Sequence, residues 1–376
     1  MCGYSFTVFL SAFQLFPTAP FHILALGGGT SAAGLFLGAL TYASAFSAPV
    51  TGSLSDRFGP RRVLIVASVA ITVFTLAYAV VPSYKLMLPL VLVHGVFWSG
   101  LLTGSAAYTT NILPESRRGE GIAYWGLSTI AAIAVAPSIG FWVFHYGWSA
   151  LCLETAALNV VMACIAWSLP PDPPRAAPAH PPHRRLIEWR VLVLSFTLFL
   201  YSFGYGGVTS FTALYADANG VSPKGIYLTA LAVVILLTRP LSGRLGDRFG
   251  YRRVLLPCLV LIAIGLSLLV FGGTKPWLVA SAGVFGVGFG TAYPTFAGYV
   301  MRNVSAARRG AAFGAILACF DTGIGTGSTT LGWIIGRHGF ATAFGTAAVL
   351  AALSLPYFVL ADRAITSRGR EQNTSR

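Results

Sequence analysis

Two acidic residues, Glu154 and Asp321, fall inside long apolar stretches of this chain. The other nine, Asp56, Glu115, Glu120, Asp172, Glu188, Asp217, Asp247, Asp362 and Glu371, fall in polar connections or toward the end. An ionisable side chain at the centre of a bilayer costs about 2.5–3.5 kcal/mol on insertion scales, so one retained there is a functional candidate. Such a carboxyl can bind and release a proton or pair with a cation. Asp321 lies eleven residues beyond Gly310, about 16 Å by helical rise, which is mid-membrane depth. It neighbours Gly323, Gly325 and Gly327, and small residues let helix backbones approach. Glu154 is seven residues past Gly147 and so nearer the opposite surface. Arg239 stands four residues before Gly243, about 6 Å inside, placed to meet an acid or to snorkel to the surface. His94 sits in another apolar stretch. Histidine titrates near neutral pH, and the same position also suits a buried histidine held by hydrogen bonds. Asp321, His94, Arg239 and Glu154 are the coupling candidates, with the proton as the coupling ion and no other cofactor.

Other chemistries find no residues. There is no His-Glu-x-x-His pair, Walker loop, Cys-x-x-Cys pair or nucleophile elbow. Cys2, Cys152, Cys164, Cys258 and Cys319 lie in hydrophobic stretches without metal-ligand spacing. The expectation is a protein that is not an enzyme and holds no metal.

The elements that must position the four groups follow from composition. Charged residues make up 10% of the 376 and apolar ones 55%, with a mean hydropathy of +0.72. Soluble domains carry roughly 25% charged residues, and so few charges cannot coat a soluble surface of this size. The same numbers exclude a disordered chain, and five cysteines exclude a disulfide scaffold. A bilayer-spanning helix needs about 20 apolar residues, and twelve such stretches follow one another: 3–25, 31–52, 62–82, 87–111, 121–143, 149–169, 191–213, 224–243, 252–271, 277–300, 311–335 and 340–361. The runs are continuous and not alternating, which excludes a β-barrel. The first stretch has no basic segment ahead of it and reads as a helix, not a signal peptide.

The fold class is therefore all-α membrane, with twelve transmembrane helices in two six-helix bundles, 1–169 and 191–362. A proline-rich linker, 170–190, joins them and a tail, 363–376, follows. Arginines fall in alternate connections, and the opposite ones hold only Lys85, Lys224, Lys275 and Arg337. By the positive-inside rule the arginine-rich connections, the linker and both termini are cytoplasmic. The net charge of +14 is thus topological, and a nucleic-acid partner is not expected.

A single offset of 191 residues superimposes the two halves. Gly52 to Leu64 matches Gly243 to Leu255 at ten of thirteen positions. The same offset pairs Pro49 with Pro240, Tyr108 with Tyr299, and Arg117-Arg118-Gly119 with Arg308-Arg309-Gly310. Parallel six-helix repeats enclosing a midplane substrate site are a transporter architecture. The motif Gly52, Leu54, Asp56, Arg57, Gly59, Arg61, Arg62 and its copy Gly243, Asp247, Arg248, Gly250, Arg252, Arg253 resemble the signature of the major facilitator superfamily. The run from Pro114 to Gly121 is similar to its bacterial efflux-type branches.

That resemblance implies cytoplasmic latches. Asp56 would meet the positive N-terminus of helix 11 near Gly310, and Asp247 that of helix 5 near Gly119, with Arg118 and Arg309 beside them. Gly52 and Gly59 would let helices approach and turn tightly, and Arg239 would support the latch ahead of any substrate role. Helix 6, which carries Glu154, would be peripheral. Helices 1, 4, 7 and 10 would line a cavity with Gln14, Thr18, His94, Trp98, Tyr201, Tyr205, Thr209, Phe289 and Tyr293. This lining is aromatic, weakly polar and free of carboxylates. Pro137 would act as a hinge in helix 5. Helix 4 lacks the buried arginine that the family often carries there. The implied function is secondary transport of a small organic solute by rocker-switch alternating access, as proton-coupled efflux, by a monomer in the bacterial inner membrane. Import or facilitated diffusion of a neutral metabolite, and a transport-inactive receptor or scaffold, stay open as alternatives.

Overall fold

The computed structural model describes residues 1–113, 118–172, 189–302, 304 and 309–374, with the side chains of 118–120, 122–123, 241, 243, 309–311 and 364–374 left aside. Most of the linker and the latch candidates Arg118, Gly243 and Arg309 thus lie outside the described residues or side chains. Among the described residues the chain forms α1 (Cys2–Ala25), α2 (Thr30–Phe58), α3 (Pro60–Val80), α4 (Tyr84–Ile112), α5 (Arg118–Phe144), α6 (Trp148–Ser168), α7 (Trp189–Ala218), α8 (Ile226–Phe249), α9 (Tyr251–Phe271) and α10 (Lys275–Arg302). A last helical stretch, Arg309–Thr374, breaks at Gly339 (φ 81°, ψ 174°) into α11 (309–338) and α12 (340–374). The expected twelve helices are present.

Their ends differ from the hydropathy reading in an instructive way. The apolar runs stop at 52 and 243, but α2 and α8 continue to Phe58 and Phe249. Polarity marks where a helix leaves the bilayer, and only a backbone breaker ends it. The breakers are Gly59 (φ 90°) and Gly250 (φ 86°), in a region that other residues rarely adopt. Asp56 and Asp247 therefore ride on the last turns of α2 and α8 and not in loops. Likewise α4 starts at Tyr84 and takes in Lys85, and α12 carries its helix on to Thr374, through the segment expected as a tail.

Gly59→Ala and Gly250→Ala should both destabilise the protein by about 1 kcal/mol or more for the positive φ, read as a lower melting temperature in detergent. Gly59→Ala should cost the more. A methyl there meets the Asp172 carboxylate, whereas Gly250 has open space around it. Equal losses would contradict that distinction.

The surface is that of a protein in lipid. Along α3 the exposed residues are Val66, Val69, Val73, Leu76 and Val80, while Leu64, Ala67, Ile71 and Tyr78 are buried. Exposed Trp142, Tyr146, Trp277 and Trp333 stand at the arginine-poor ends of their helices, and Tyr124, Trp167 and Trp189 at the arginine-rich ends. Such belts mark the two interfaces. Tyr124 and Trp142 are 18 residues apart on α5, about 27 Å, close to the thickness of the hydrocarbon core.

The halves meet along two glycine-lined seams. In the larger, α2 lies on α11. Gly34 faces the Ser328 carbonyl, Gly38 faces Thr329, and Gly332 faces the carbonyl of Thr30. The hydroxyl of Ser328 donates to Gly34 O (2.8 Å), and that of Thr30 donates to Gly332 O (2.7 Å). α11 also packs on α7, with Gly323 and Gly327 against the Phe199 and Phe203 backbone. In the smaller seam Gly225 meets Pro137 and Phe141, and Ser138 bonds Thr229 (3.0 Å). The candidate hinge Pro137 thus sits at a junction between halves.

Along the α2–α11 seam Gly34, Gly38 and Thr41 are buried, but toward the arginine-rich end Pro49 and Asp56 on α2 and Gly314 on α11 are exposed. Side-chain atoms added at Gly52 or Gly314 would meet nothing. Gly52, expected where helices 2 and 3 approach, has open space where a first side-chain carbon would stand, and among the described residues this end of the α2–α11 seam is open.

Candidate functional site

Asp321 lies where the seam opens. It is half-buried on α11 and accepts a hydrogen bond from Ser44 of α2 (3.4 Å) across the junction of the halves. One turn farther in, Tyr42 bonds Thr326 (2.7 Å). Tyr293 of α10 interacts electrostatically with both Asp321 and Arg239, and Arg239 also with Tyr201. The arginine, only partly exposed, thus lies near tyrosines of α7 and α10 in the second half. Among the described residues no carboxylate lies within ion-pair distance of it. The site gathers a carboxyl and a guanidinium cation around a shared phenol.

Aromatic rings wall this site. Tyr205 stacks on Phe289 (4.3 Å, 21°), Tyr201 meets Phe289 edge-on, and Phe320, next to Asp321, packs on Tyr293 (5.0 Å). Thr209 is buried, and its hydroxyl is used within α7, donating to Tyr205 O (2.9 Å). Across from them Trp98 of α4 meets Phe9 and Phe16 of α1 edge-on. The cavity reading held no carboxylate, yet Asp321 reaches Tyr293 of that lining from α11.

The structure places four other sequence candidates elsewhere. His94 points to α3. Its Nδ1 bonds the Tyr78 hydroxyl (2.9 Å) and its ring stacks on Phe74, which makes it a hydrogen-bonded core histidine. Gln14 is fully buried with its backbone against Gly140 of α5, and its amide donates to Glu154 (3.2 Å). Thr18, also fully buried, donates to Gln14 O (2.7 Å). Gln14 thus turns to α5 and α6, and Thr18 stands one turn along the same side of α1. Glu154, placed by resemblance on a peripheral helix, thus faces inward.

At the arginine-rich end the repeated motif forms two matching buckles. In the first half the Arg61 amide donates to both Asp172 oxygens (3.3 Å each) and Tyr108 donates to Pro170 O (3.0 Å). In the second, Arg252 pairs with Asp362 (3.1 Å) and Tyr299 donates to the same carboxylate. The first ties the segment just after α6, and the second the body of α12, to the start of α3 or α9 and the end of α4 or α10. Asp362 is 7% exposed and is packed within the second bundle. Sequence reasoning assigned Asp172 and Asp362 no role. The signal lay in the offset, which already paired Tyr108 with Tyr299 and Arg61 with Arg252.

Asp247 accepts from Tyr251 (2.8 Å) across its own turn. The helix ends near Gly119 and Gly310, which were to receive Asp247 and Asp56, carry side chains outside the described set. Arg57 and Arg248 each stack on the phenylalanine that follows them (5.3 Å), while Arg62 and Arg253 are exposed.

Comparison with known proteins agrees with this architecture. YhhS of Escherichia coli K12, an MFS-type transporter, is 26% identical over 333 residues, which cover 86% of this chain and 82% of YhhS. YhhS of Salmonella typhimurium is 27% identical over 342 residues, covering 88% and 84%. Among solved structures, a bacterial homologue of the human lysosomal transporter Spinster, inward-facing and occupied, superimposes with a TM-score of 0.77 at 16% identity over 96% of this chain and 95% of that one. A mutant of the nucleoside transporter NupG gives 0.75 at 16% identity over 97% and 98%. The sequence profile of the Major Facilitator Superfamily matches residues 1–238 and 194–375, which together cover nearly the whole chain. The chain belongs to the Major Facilitator Superfamily, a family of membrane transporters.

Proposed function

We propose that this protein is a proton-coupled secondary transporter that exports a small neutral or amphipathic organic solute across the bacterial cytoplasmic membrane by rocker-switch alternating access. Its two bundles would be 1–169 and 191–362, with both termini inside. The observation that carries the reading is the hydrogen bond from Ser44 to Asp321 at the boundary between the closed and open parts of the seam. A carboxyl held there changes the contact between the halves when it gains or loses a proton, because an uncompensated charge is costly at that depth. Arg239 and the surrounding phenols supply the polar surface for solute, and the stacked rings of Tyr205 and Phe289 favour a planar apolar portion. With the arginine-rich face inside, the open end of the seam faces the cytoplasm, from which an exporter loads.

The test is transport in everted membrane vesicles, using a solute found by thermal stabilisation of the purified protein. Uptake should rise several-fold when a pH gradient, acid inside the vesicle, is imposed, and collapse when a protonophore is added. Uptake indifferent to the gradient would replace antiport with facilitated diffusion.

A further inference from the structure

The pairing of Gln14 with Glu154 leaves two orphans. Gln14 is fully buried, its Nε2 donates to Glu154 Oε1 (3.2 Å), and both Gln14 Oε1 and Glu154 Oε2 are buried without a partner. Each orphan is an acceptor, so an ionised carboxylate gives neither of them a donor. Leaving such atoms buried and unpaired costs about 1–3 kcal/mol apiece. A single proton on Oε2 removes both deficits, because the new O–H donates to the amide oxygen while the amide N–H keeps its bond to Oε1. We propose that Glu154 and Gln14 form a second proton-binding site, in the first half, as a reciprocal carboxylic acid–amide pair. The only bond made is O–H, with the proton taken from water and returned to it.

The surroundings favour the neutral acid. Among the described residues no lysine or arginine lies within ion-pair distance of Glu154. The titratable groups on the elements packed around the pair include, toward the arginine-poor end, Cys152 on α6, Tyr78 on α3, His145 just past α5 and His22 on α1, while Tyr4 on α1, Arg61 and Arg62 on α3, Tyr124 on α5 and Cys164 on α6 stand toward the other end. Lys224, at the far end of α1, is engaged over Phe21 and with Asp217. Tyr78 is held by His94, and Trp148 donates to its carbonyl (2.8 Å). His22 suggests the way in. Gln14, Thr18 and His22 recur every fourth residue and so share one face of α1, about 6 Å apart along the axis. His22 lies flat on Trp148 (4.2 Å, 6°), and its Nε2 is buried without a partner. This stripe leads from the arginine-poor end to the acid.

The role of the site in transport rests on the proton-coupled reading, but its occupancy does not. Infrared difference spectra of the full-length protein in liposomes, recorded between low and high pH, read it directly. The wild type should show a protonated-carboxyl C=O band that is absent from Glu154→Gln and shifted in Gln14→Ala, whose acid loses its amide partner. Glutamine at 154 can still pair with Gln14, so this variant should fold, and its melting temperature checks that. Asp321→Asn should leave the band in place. A band unaltered by both Glu154→Gln and Gln14→Ala would overturn the proposal. Failure of proton coupling itself would appear in the vesicle assay and leave this band untouched.

Discussion

Asp321→Asn is expected to reduce pH-gradient-driven transport at least about a hundredfold, or roughly 2.7 kcal/mol, while leaving insertion and solute exchange between equal pH values intact. Asparagine keeps the size of the side chain and can still accept from Ser44, so the bridge between α2 and α11 survives. What it loses is the capacity to carry a charge in one state and none in the other. A seam that no longer responds to the proton can still rock with solute bound, and so exchange continues while the gradient has no hold on it. Ser44→Ala, by contrast, removes one long hydrogen bond and should cost severalfold at most. The measurement is the ratio of gradient-driven uptake to counterflow in the same vesicles. A variant whose gradient response equals that of the wild type would remove Asp321 from coupling.

The second large effect is conformational. A side chain at Gly34 would have its first carbon against the Ser328 carbonyl, with Phe211 close on the other side, so Gly34→Leu forces α2 and α11 apart at the arginine-poor end. Overpacking of this kind costs about 1–3 kcal/mol, which moves a two-state balance about 5- to 150-fold away from the state described here. Transport should fall accordingly. A cysteine placed at Thr30, in a background without the native cysteines, should react faster with a membrane-impermeant thiol reagent added on that side. Bulk at Gly314 should act with the opposite sign, because that position has free space in this conformation and would lose it if the inner end of the seam closed. Unchanged labelling in Gly34→Leu, with transport intact, would show that the seam does not limit the cycle.

The helices and the duplication were legible because both are written in single-chain patterns, namely runs of apolar residues and a fixed offset. Asp321 was legible for a related reason: a charge in an apolar run needs no partner to be conspicuous. Partners were the hard part. Arg239 could be placed at a depth but not given a direction, and it is Tyr201 and Tyr293, on two other helices, that set it. Gln14 and Thr18 were assigned to the cavity because their helix is a lining helix, yet a helix has several faces, and Glu154 and Gly140 decide which one these residues use. The carboxylates of the two buckles were given no role because polarity near the end of an apolar run looks the same whether the residue is solvated or clasped. Tertiary pairing, more than secondary structure, is what a single sequence conceals.

The open seam also has a mechanical consequence. The closed part of α2 ends near Thr41, and Asp56 lies fifteen residues beyond it on the same helix, an arm of about 22 Å. Tilting the arm about that edge displaces Asp56 by about 0.4 Å per degree, while Ser44 and Asp321, close to the fulcrum, hardly move. The helix thus works as a lever with two very different mechanical advantages. Contacts at its tip are broken or made by a few degrees of rotation, so latches there can be short, polar and decisive. The proton site beside the fulcrum keeps its geometry through the stroke and acts as a bearing.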